Sequence, residues 1–142
     1  MISIEPVLSA LKKDGKKLTA IRKEVISVVF ESERPLSVSD ILKELSKINL
    51  VPNKTTVYRE IAFLLEEGYI REVVLSSSVV YYESAMLSHH HHLVCTKCGV
   101  IKEIDCPETE KSLAQVVQNA QSKGFYVENH NLEFFGHCVG CN

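Results

Sequence analysis

The sequence lacks what would carry it into or across a membrane. No apolar run approaches the ~18 residues that a spanning helix needs. The start, Met1-Ile2-Ser3-Ile4-Glu5-Pro6, has no basic segment followed by an apolar stretch, so a secretory leader is not expected. No internal repeat or low-complexity tract interrupts the 142 residues, which argues against repeat and disordered architectures. There is no Gly-rich phosphate loop and no evident nucleophile–base pair, which speaks against an enzyme. Arginine is missing altogether from residues 85–142. The expected location is cytoplasmic, with no membrane partner. In that reducing setting five cysteines, four of them in two C-x-x-C pairs, argue for metal before disulfides.

What is present points to a packed protein. Hydrophobic residues make up 45% and charged residues 24%, the balance of a globular core with a solvated surface. The length suits one ordinary domain or two small ones. A formal net charge of −2 looks unsuited to nucleic acid, but the charge is unevenly spread. Residues 1–84 carry 12 basic and 12 acidic side chains, and six of the basic ones (Lys12, Lys13, Lys16, Lys17, Arg22, Lys23) fall in the first 24 residues. Residues 85–142 carry 4 Lys, 6 acidic side chains and all six His. The sequence therefore reads as two subdomains, 1–84 and 85–142.

The first is helical, then extended. Val7 to Lys13 predicts a short helix ended near Gly15. Thr19 is a fitting N-cap for a second, whose Leu18, Ile21, Val25, Val28 and Val29 share one face. Ser37-x-x-Asp40 starts a third, with Val38, Ile41, Leu42, Leu45 and Ile48 inward. A fourth runs from about Lys54 to Glu67, with Val57, Ile61, Leu64 and Leu65 inward, and Gly68 stops it. Ile70–Leu75 and Val79–Glu83 then read as a hairpin turned at Ser76-Ser77-Ser78. Helices followed by a hairpin is the order of a winged helix-turn-helix, and equally of a small α+β domain without DNA.

The second subdomain reads β-β-α-β. Strands over His89–Thr96 and Val100–Asp105 flank a C-x-x-C-G turn. Pro107 opens a helix with Leu113, Val116, Val117 and Ala120 as its apolar stripe. Gly124 ends it, and Phe125–Phe135 forms a final strand.

Three constellations carry chemistry. Cys95-x-x-Cys98 and Cys138-x-x-Cys141 offer four thiolates for a closed, structural Zn2+ site, a β-α-β unit bringing the two knuckles together. The competing reading is a pair of redox motifs or a disulfide. Cys106 is left over and reads as a small thiol before a helix. His89-His90-His91-His92 begins a strand, so His89 and His91 face one way and His90 and His92 the other. Glu83, Glu103, Glu110 and His130 are further ligands for two sites on opposite faces; the competing reading is a solvated strand edge. On the fourth helix, Thr55, Thr56, Tyr58 and Arg59 lie away from the inward face, where hydroxyls and a guanidinium suit phosphate and major-groove contacts. An ordinary solvated face is the alternative.

In combination, Leu18-Thr19-x-x-Arg22, Thr55-Thr56-Val57-Tyr58-Arg59, Gly68, His89-His90-His91-His92-Leu93-Val94-Cys95-x-x-Cys98-Gly99 and Gly136-His137-Cys138-x-x-Cys141 closely resemble the ferric uptake regulator family. The resemblance covers nearly the whole chain, in order. It implies an α+β chain: an N-terminal winged helix-turn-helix, then a small α/β dimerisation domain. It implies a homodimeric, metal-dependent repressor of metal homeostasis genes that binds a palindromic double-stranded DNA operator. By the resemblance, Cys95, Cys98, Cys138 and Cys141 hold structural zinc, and Glu83, His90, His92 and Glu103 form the regulatory site for Fe2+ or Zn2+, with Mn2+ a further candidate. His89, His91, Glu110 and His130 match a third site. Tyr58 and Arg59 match recognition-helix residues, and Lys17 a basic residue that reaches the minor groove. Two departures stand out. A His common just before the third helix is replaced by Arg34 or Pro35, and an Asp common in the third site is replaced by His91. A zinc-uptake regulator of the same family, and a metal-buffering protein that binds no DNA, are the alternative readings.

Overall fold

The computed structural model describes residues 3–75 and 78–141. The chain divides into two compact units, Met1–Leu87 and Ser88–Asn142, where the sequence sets the boundary at 84/85.

The first unit holds α1 (Glu5–Lys13), α2 (Ala20–Glu31), β1 (Leu36–Ser37), α3 (Val38–Lys47), α4 (Lys54–Glu66), β2 (Ile70–Val73) and β3 (Tyr81–Ser84). Local chemistry sets the helix starts. Thr19 accepts the backbone N–H of Arg22 at the head of α2, and Asn53 accepts that of Thr56 at the head of α4. Ser37 and Asp40 form a reciprocal capping box at α3. Gly68, at φ +73°, closes α4: its N–H reaches Leu65 O and that of Tyr69 reaches Leu64 O, the paired bonds of a Schellman turn.

The inward faces of these helices meet in one core that includes Leu11, Ile26, Ile41, Leu45, Val57, Ile61 and Leu64. Ile48 departs from expectation. It is 52% exposed because α3 ends at Lys47, and Asn49 turns the chain away through a left-handed conformation at φ 59°. β3 is central in a small antiparallel sheet of order β1-β3-β2, with Ile70 opposite Ser84 and Leu36 opposite Tyr82. β1 has no counterpart in the expected elements; two residues are too few to show a period. The hairpin arms are shorter than expected, and of the serine turn Ser76 and Ser77 lie outside the described residues.

The second unit holds β4 (His91–Cys95), β5 (Ile101–Ile104), α5 (Pro107–Ser122), β6 (Glu133–Gly136) and a final 3-10 turn, Val139–Cys141. The sheet order is β5-β4-β6: β4 pairs antiparallel with β5 and parallel with β6, from His92 opposite Glu133 to Cys95 opposite Gly136. The last strand is much shorter than the expected Phe125–Phe135. β4 begins at His91, so residues much before Glu133 have no strand to pair with. α5 has the expected apolar stripe but no buried residue, with Val116 58% exposed.

The buried side chains of this unit, among the described residues, are His91, His92, Cys95 and Ile101. Three of the four carry donor atoms for metals. An apolar core this small does not hold ~55 residues together without another source of stability, such as bound metal or a partner surface. Among the described residues no helix is long and apolar enough to cross a membrane.

Candidate metal centres and nucleic-acid face

The knuckle Cys95–Gly99 leaves the end of β4 and returns through β5. Cys95 N–H donates to Val100 O, and Gly99, at φ +74°, donates back to Cys95 O. The parallel partner β6 delivers Cys138 alongside, and the 3-10 turn folds Cys141 back, its N–H on Cys138 O. All four sulfurs lie within 4.8 Å of one another, and Cys98 Sγ is 3.7 Å from Cys138 Sγ. Four thiolates at ~2.3 Å from a tetrahedral ion stand about 3.8 Å apart, so the set fits zinc without rearrangement. The backbone supports the charge: N–H groups led by that of Cys138 pull the Cys95 thiol down to about 5. Its neighbour Cys141 is pushed up to about 12, first by hydrogen bonding to Cys138 and then to Cys98. Without an ion the cluster thus holds protons that a cation would displace.

A second cluster gathers at the opposite end of β4. His91 Nε2, His89 Nε2 and His130 Nε2 lie 2.6, 3.2 and 3.5 Å from the same oxygen, Oε1 of Glu110 on α5. The three imidazoles crowd each other, His89 lying 4.8 Å from both His91 and His130 between ring centroids. Glu110 is held below the usual carboxylate range, chiefly by the hydrogen bond from His91, against the desolvation that opposes its charge. His130 Nε2 is buried and makes no hydrogen bond. An orphaned nitrogen, two further imidazoles and a carboxylate aimed at one point form a donor set that fits a cation of zinc type.

The other histidines form a separate pair. His90 Nδ1 is 2.8 Å from Ser88 O, and a carbonyl can only accept, so Nδ1 carries the proton. His92 Nδ1 faces the Glu133 carboxylate at 3.1 Å. The two Nε2 atoms then meet at 3.1 Å. Glu103, on β5 opposite His92, lies 3.7 Å from His90 Nε2. Glu83 belongs to the first unit, where it is buried on β3 and accepts from Arg71 Nε at 2.7 Å.

The structure therefore brings together the four cysteines, the set His89, His91, Glu110 and His130, and the set His90, His92 and Glu103. His89 and His90 precede β4, yet His89 groups with His91 and His90 with His92. Glu133 is the residue that sequence reasoning missed. Its contact with His92 depends on the parallel register of β4 and β6, which alternation within one strand does not reveal. Cys106 is the N-cap residue of α5, partly exposed and without a side-chain cap.

On the first unit, Thr55, Tyr58 and Arg59 lie exposed on α4. Thr56 is half-buried, and its hydroxyl donates to Asn53 Oδ1, so it serves the helix cap. Lys17 is exposed, and its carbonyl accepts from Arg22. Lys54, which was not among the expected contacts, places Nζ 5.7 Å from the Tyr58 ring. Lys43, Lys54 and Tyr58 line an open cleft with Val79–Tyr82, so cations and an aromatic ring face the same solvent region.

The family described as the ferric uptake regulator family matches residues 13–135. A ferric uptake regulation protein of Helicobacter pylori (strain ATCC 700392 / 26695) is 33% identical, over 97% of this chain and 90% of its own. The solved structure of the Helicobacter pylori ferric uptake regulator, whose description speaks of three functional metal binding sites, superposes with a TM-score of 0.80. It is 32% identical and covers 97% of this chain and 90% of its own. A zinc uptake regulator solved with zinc and DNA superposes at 0.64, with 25% identity, 96% of this chain and 91% of its own.

Proposed function

The chain belongs to the ferric uptake regulator family, and from that membership we propose that it is a metal-dependent DNA-binding transcriptional repressor of metal homeostasis genes. The observation that carries the reading is the sorting of donors in the second unit: a closed thiolate set at one end of β4 and two imidazole–carboxylate sets at the other.

Cys95, Cys98, Cys138 and Cys141 hold structural zinc, which ties β4 to the chain end where apolar burial is scant. His90, His92 and Glu103, with Glu83 from the first unit, hold the regulatory ion, Fe2+ or Zn2+, with Mn2+ a further candidate. His89, His91, Glu110 and His130 hold a third. A bound cation supplies positive charge that the imidazoles and carboxylates share; the response to it is a matter of the chain's own residues. Glu83 sits on β3 of the winged unit, His90 just before β4 and His92 within it, so an ion held by all three would favour one arrangement of the two units over others. DNA affinity then rises only as far as that arrangement is the one that fits DNA.

Thr55, Tyr58 and Arg59 on α4 enter the major groove, and Lys17 the minor groove. Thr56 contributes by holding the start of α4. Leu93, Val100, Phe134, Phe135 and Val139 are exposed apolar side chains that line one open cleft of the second unit, which supports a homodimer and hence a palindromic operator. The reading makes the protein a regulator and not an enzyme, acting in the cytoplasm.

The test is operator-type DNA binding by the zinc-retaining protein, titrated separately with Fe(II), Mn(II) and Zn(II) at fixed salt. One metal should tighten binding by an order of magnitude or more. Equal affinity with every metal and with none would remove metal sensing. A variant with Tyr58 and Arg59 both changed to Ala should lose operator binding and keep its metals; unchanged binding would favour a metal buffer.

A further inference from the structure

Glu133 meets His92 twice. Its Oε2 accepts the backbone N–H of His92 at 3.1 Å, and the same oxygen lies 3.1 Å from Nδ1 of the ring, with Oε1 at 3.4 Å. The carboxylate is fixed from both sides. Glu133 stands directly opposite His92 in the parallel β4–β6 ladder, and its side chain is only 14% exposed. His92 itself is 2% exposed, so the pair is largely shielded from water.

An ionised carboxylate only accepts, so Nδ1 carries a proton, and the neutral ring then coordinates through Nε2. Nε2 is the atom that faces His90 Nε2 at 3.1 Å. The geometry points to Glu133 as a positioning residue of the regulatory site. It locks His92 in the Nδ1–H tautomer and aims Nε2 at the cation, without itself touching the ion. A carboxylate behind an imidazole ligand fixes the ring and raises its basicity, and losing one typically lowers metal affinity 10–100-fold.

The arrangement divides labour along β6. Glu133 begins the strand that ends at Gly136, just before Cys138 of the thiolate set. A strand anchored at the cysteine end therefore presents the carboxylate at the histidine end in fixed register.

The inference rests on the reading of His92 as a ligand, and the test separates the two. The probe is Co(II) bound to the full-length protein that retains its cysteine-held zinc, with affinity measured by chelator competition and the ligand-field spectrum recorded. Nitrogen NMR of the metal-free histidines reports the His92 tautomer directly. The wild type should show Nδ1–H. Glu133→Ala should release the tautomer, weaken Co(II) binding at least 10-fold and alter the spectrum. Glu133→Gln, whose amide oxygen still accepts, should keep the tautomer and lose less. Unchanged zinc content reports an intact fold in each variant.

An Nε2–H tautomer in the wild type overturns the inference without any variant. So does Co(II) affinity within twofold of wild type in Glu133→Ala, or an equal loss in Glu133→Gln. His92→Ala separates the layers: Co(II) affinity unchanged there sinks the ligand assignment itself, whereas loss there with no loss in Glu133→Ala sinks only the positioning role.

Discussion

Arg22 on α2 donates from Nε to Glu60 Oε2 on α4 at 2.7 Å, with both side chains largely shielded from solvent. The same guanidinium lies 3.7 Å above the Phe63 ring and donates from Nη1 to Lys17 O. One residue therefore fixes α4 against α2 and holds the backbone from which Lys17 projects. Such a shielded pair, once broken, leaves an uncompensated charge, which costs more than an exposed ion pair is worth. Arg22→Ala should destabilise the winged unit by roughly 1–3 kcal/mol and weaken operator binding although Arg22 itself is not offered as a base reader. Denaturant midpoints and DNA affinity check both; loss of neither removes the brace.

The capping box of α3 predicts an acid-sensitive element. Burial raises the Asp40 carboxyl, but hydrogen bonds from the Ser37 hydroxyl and backbone N–H, aided by Arg34, outweigh it and leave the group lowered. A carboxylate lowered in the folded state contributes stability above its unfolded value, about 3.9, and loses it as pH falls through the lower folded value. Asp40→Asn should therefore be less stable than wild type near neutrality, by about 1 kcal/mol for a weakened cap, with the difference closing as pH falls through the lowered folded value. Denaturant midpoints against pH are the measurement. A gap that persists undiminished in acid assigns the loss to something other than the charge.

How far the sequence could be read depends on how local the determining physics is. The sorting of His89 and His91 from His90 and His92 needs only the two-residue alternation of an extended chain, so it was legible even where β4 had not yet begun. The box of Ser37 and Asp40 spans three residues, and it too was legible. Glu133 was not, because its partner is set by a register that crosses over through α5. Nor was the exposure of Val116: periodicity reveals a stripe on α5 but not whether the same chain covers it. The length of β6 follows from where β4 starts, a fact about a neighbour and not about Phe125–Glu133.

The thiolate cluster predicts that the second unit depends on its zinc. With few buried apolar side chains in that unit, an ion held by the four sulfurs would tie β4 to the segment Cys138–Cys141. Cys98→Ser, or stripping with a strong chelator, should release the zinc and unfold residues 88–142 while the winged unit keeps its helices. Metal analysis with residue-level NMR reads both. A second unit that keeps its dispersed spectrum without zinc contradicts the structural role.

Phosphate contacts and base contacts separate by salt. Arg59 is exposed on α4 with a fixed charge, so Arg59→Ala should lower the slope of log affinity against log salt by about 1 if it neutralises one phosphate. Tyr58→Ala removes no charge and should weaken binding with the slope intact. If Arg59→Ala instead leaves the slope unchanged and relaxes sequence preference, its guanidinium reads a base edge.

His91 carries the last prediction, because it is a nitrogen donor in a buried place. It is 2% exposed, and its Nε2 stands 2.6 Å from Glu110 Oε1, the point on which His89 and His130 also converge. Three imidazoles and one carboxylate match the donor preference of zinc, whereas oxygen-rich sets favour manganese. His91→Asp would put a second carboxylate beside Glu110, adding like-charge repulsion in the metal-free state and a harder donor in the loaded one. The ratio of Zn(II) to Mn(II) affinity at this site should therefore fall by an order of magnitude or more. Competition dialysis with the cysteine-held zinc retained measures that ratio. A fall would identify the donor set as what selects the metal there; an unchanged ratio would mean that the site's shape, set by α5 and the chain around His130, governs the choice.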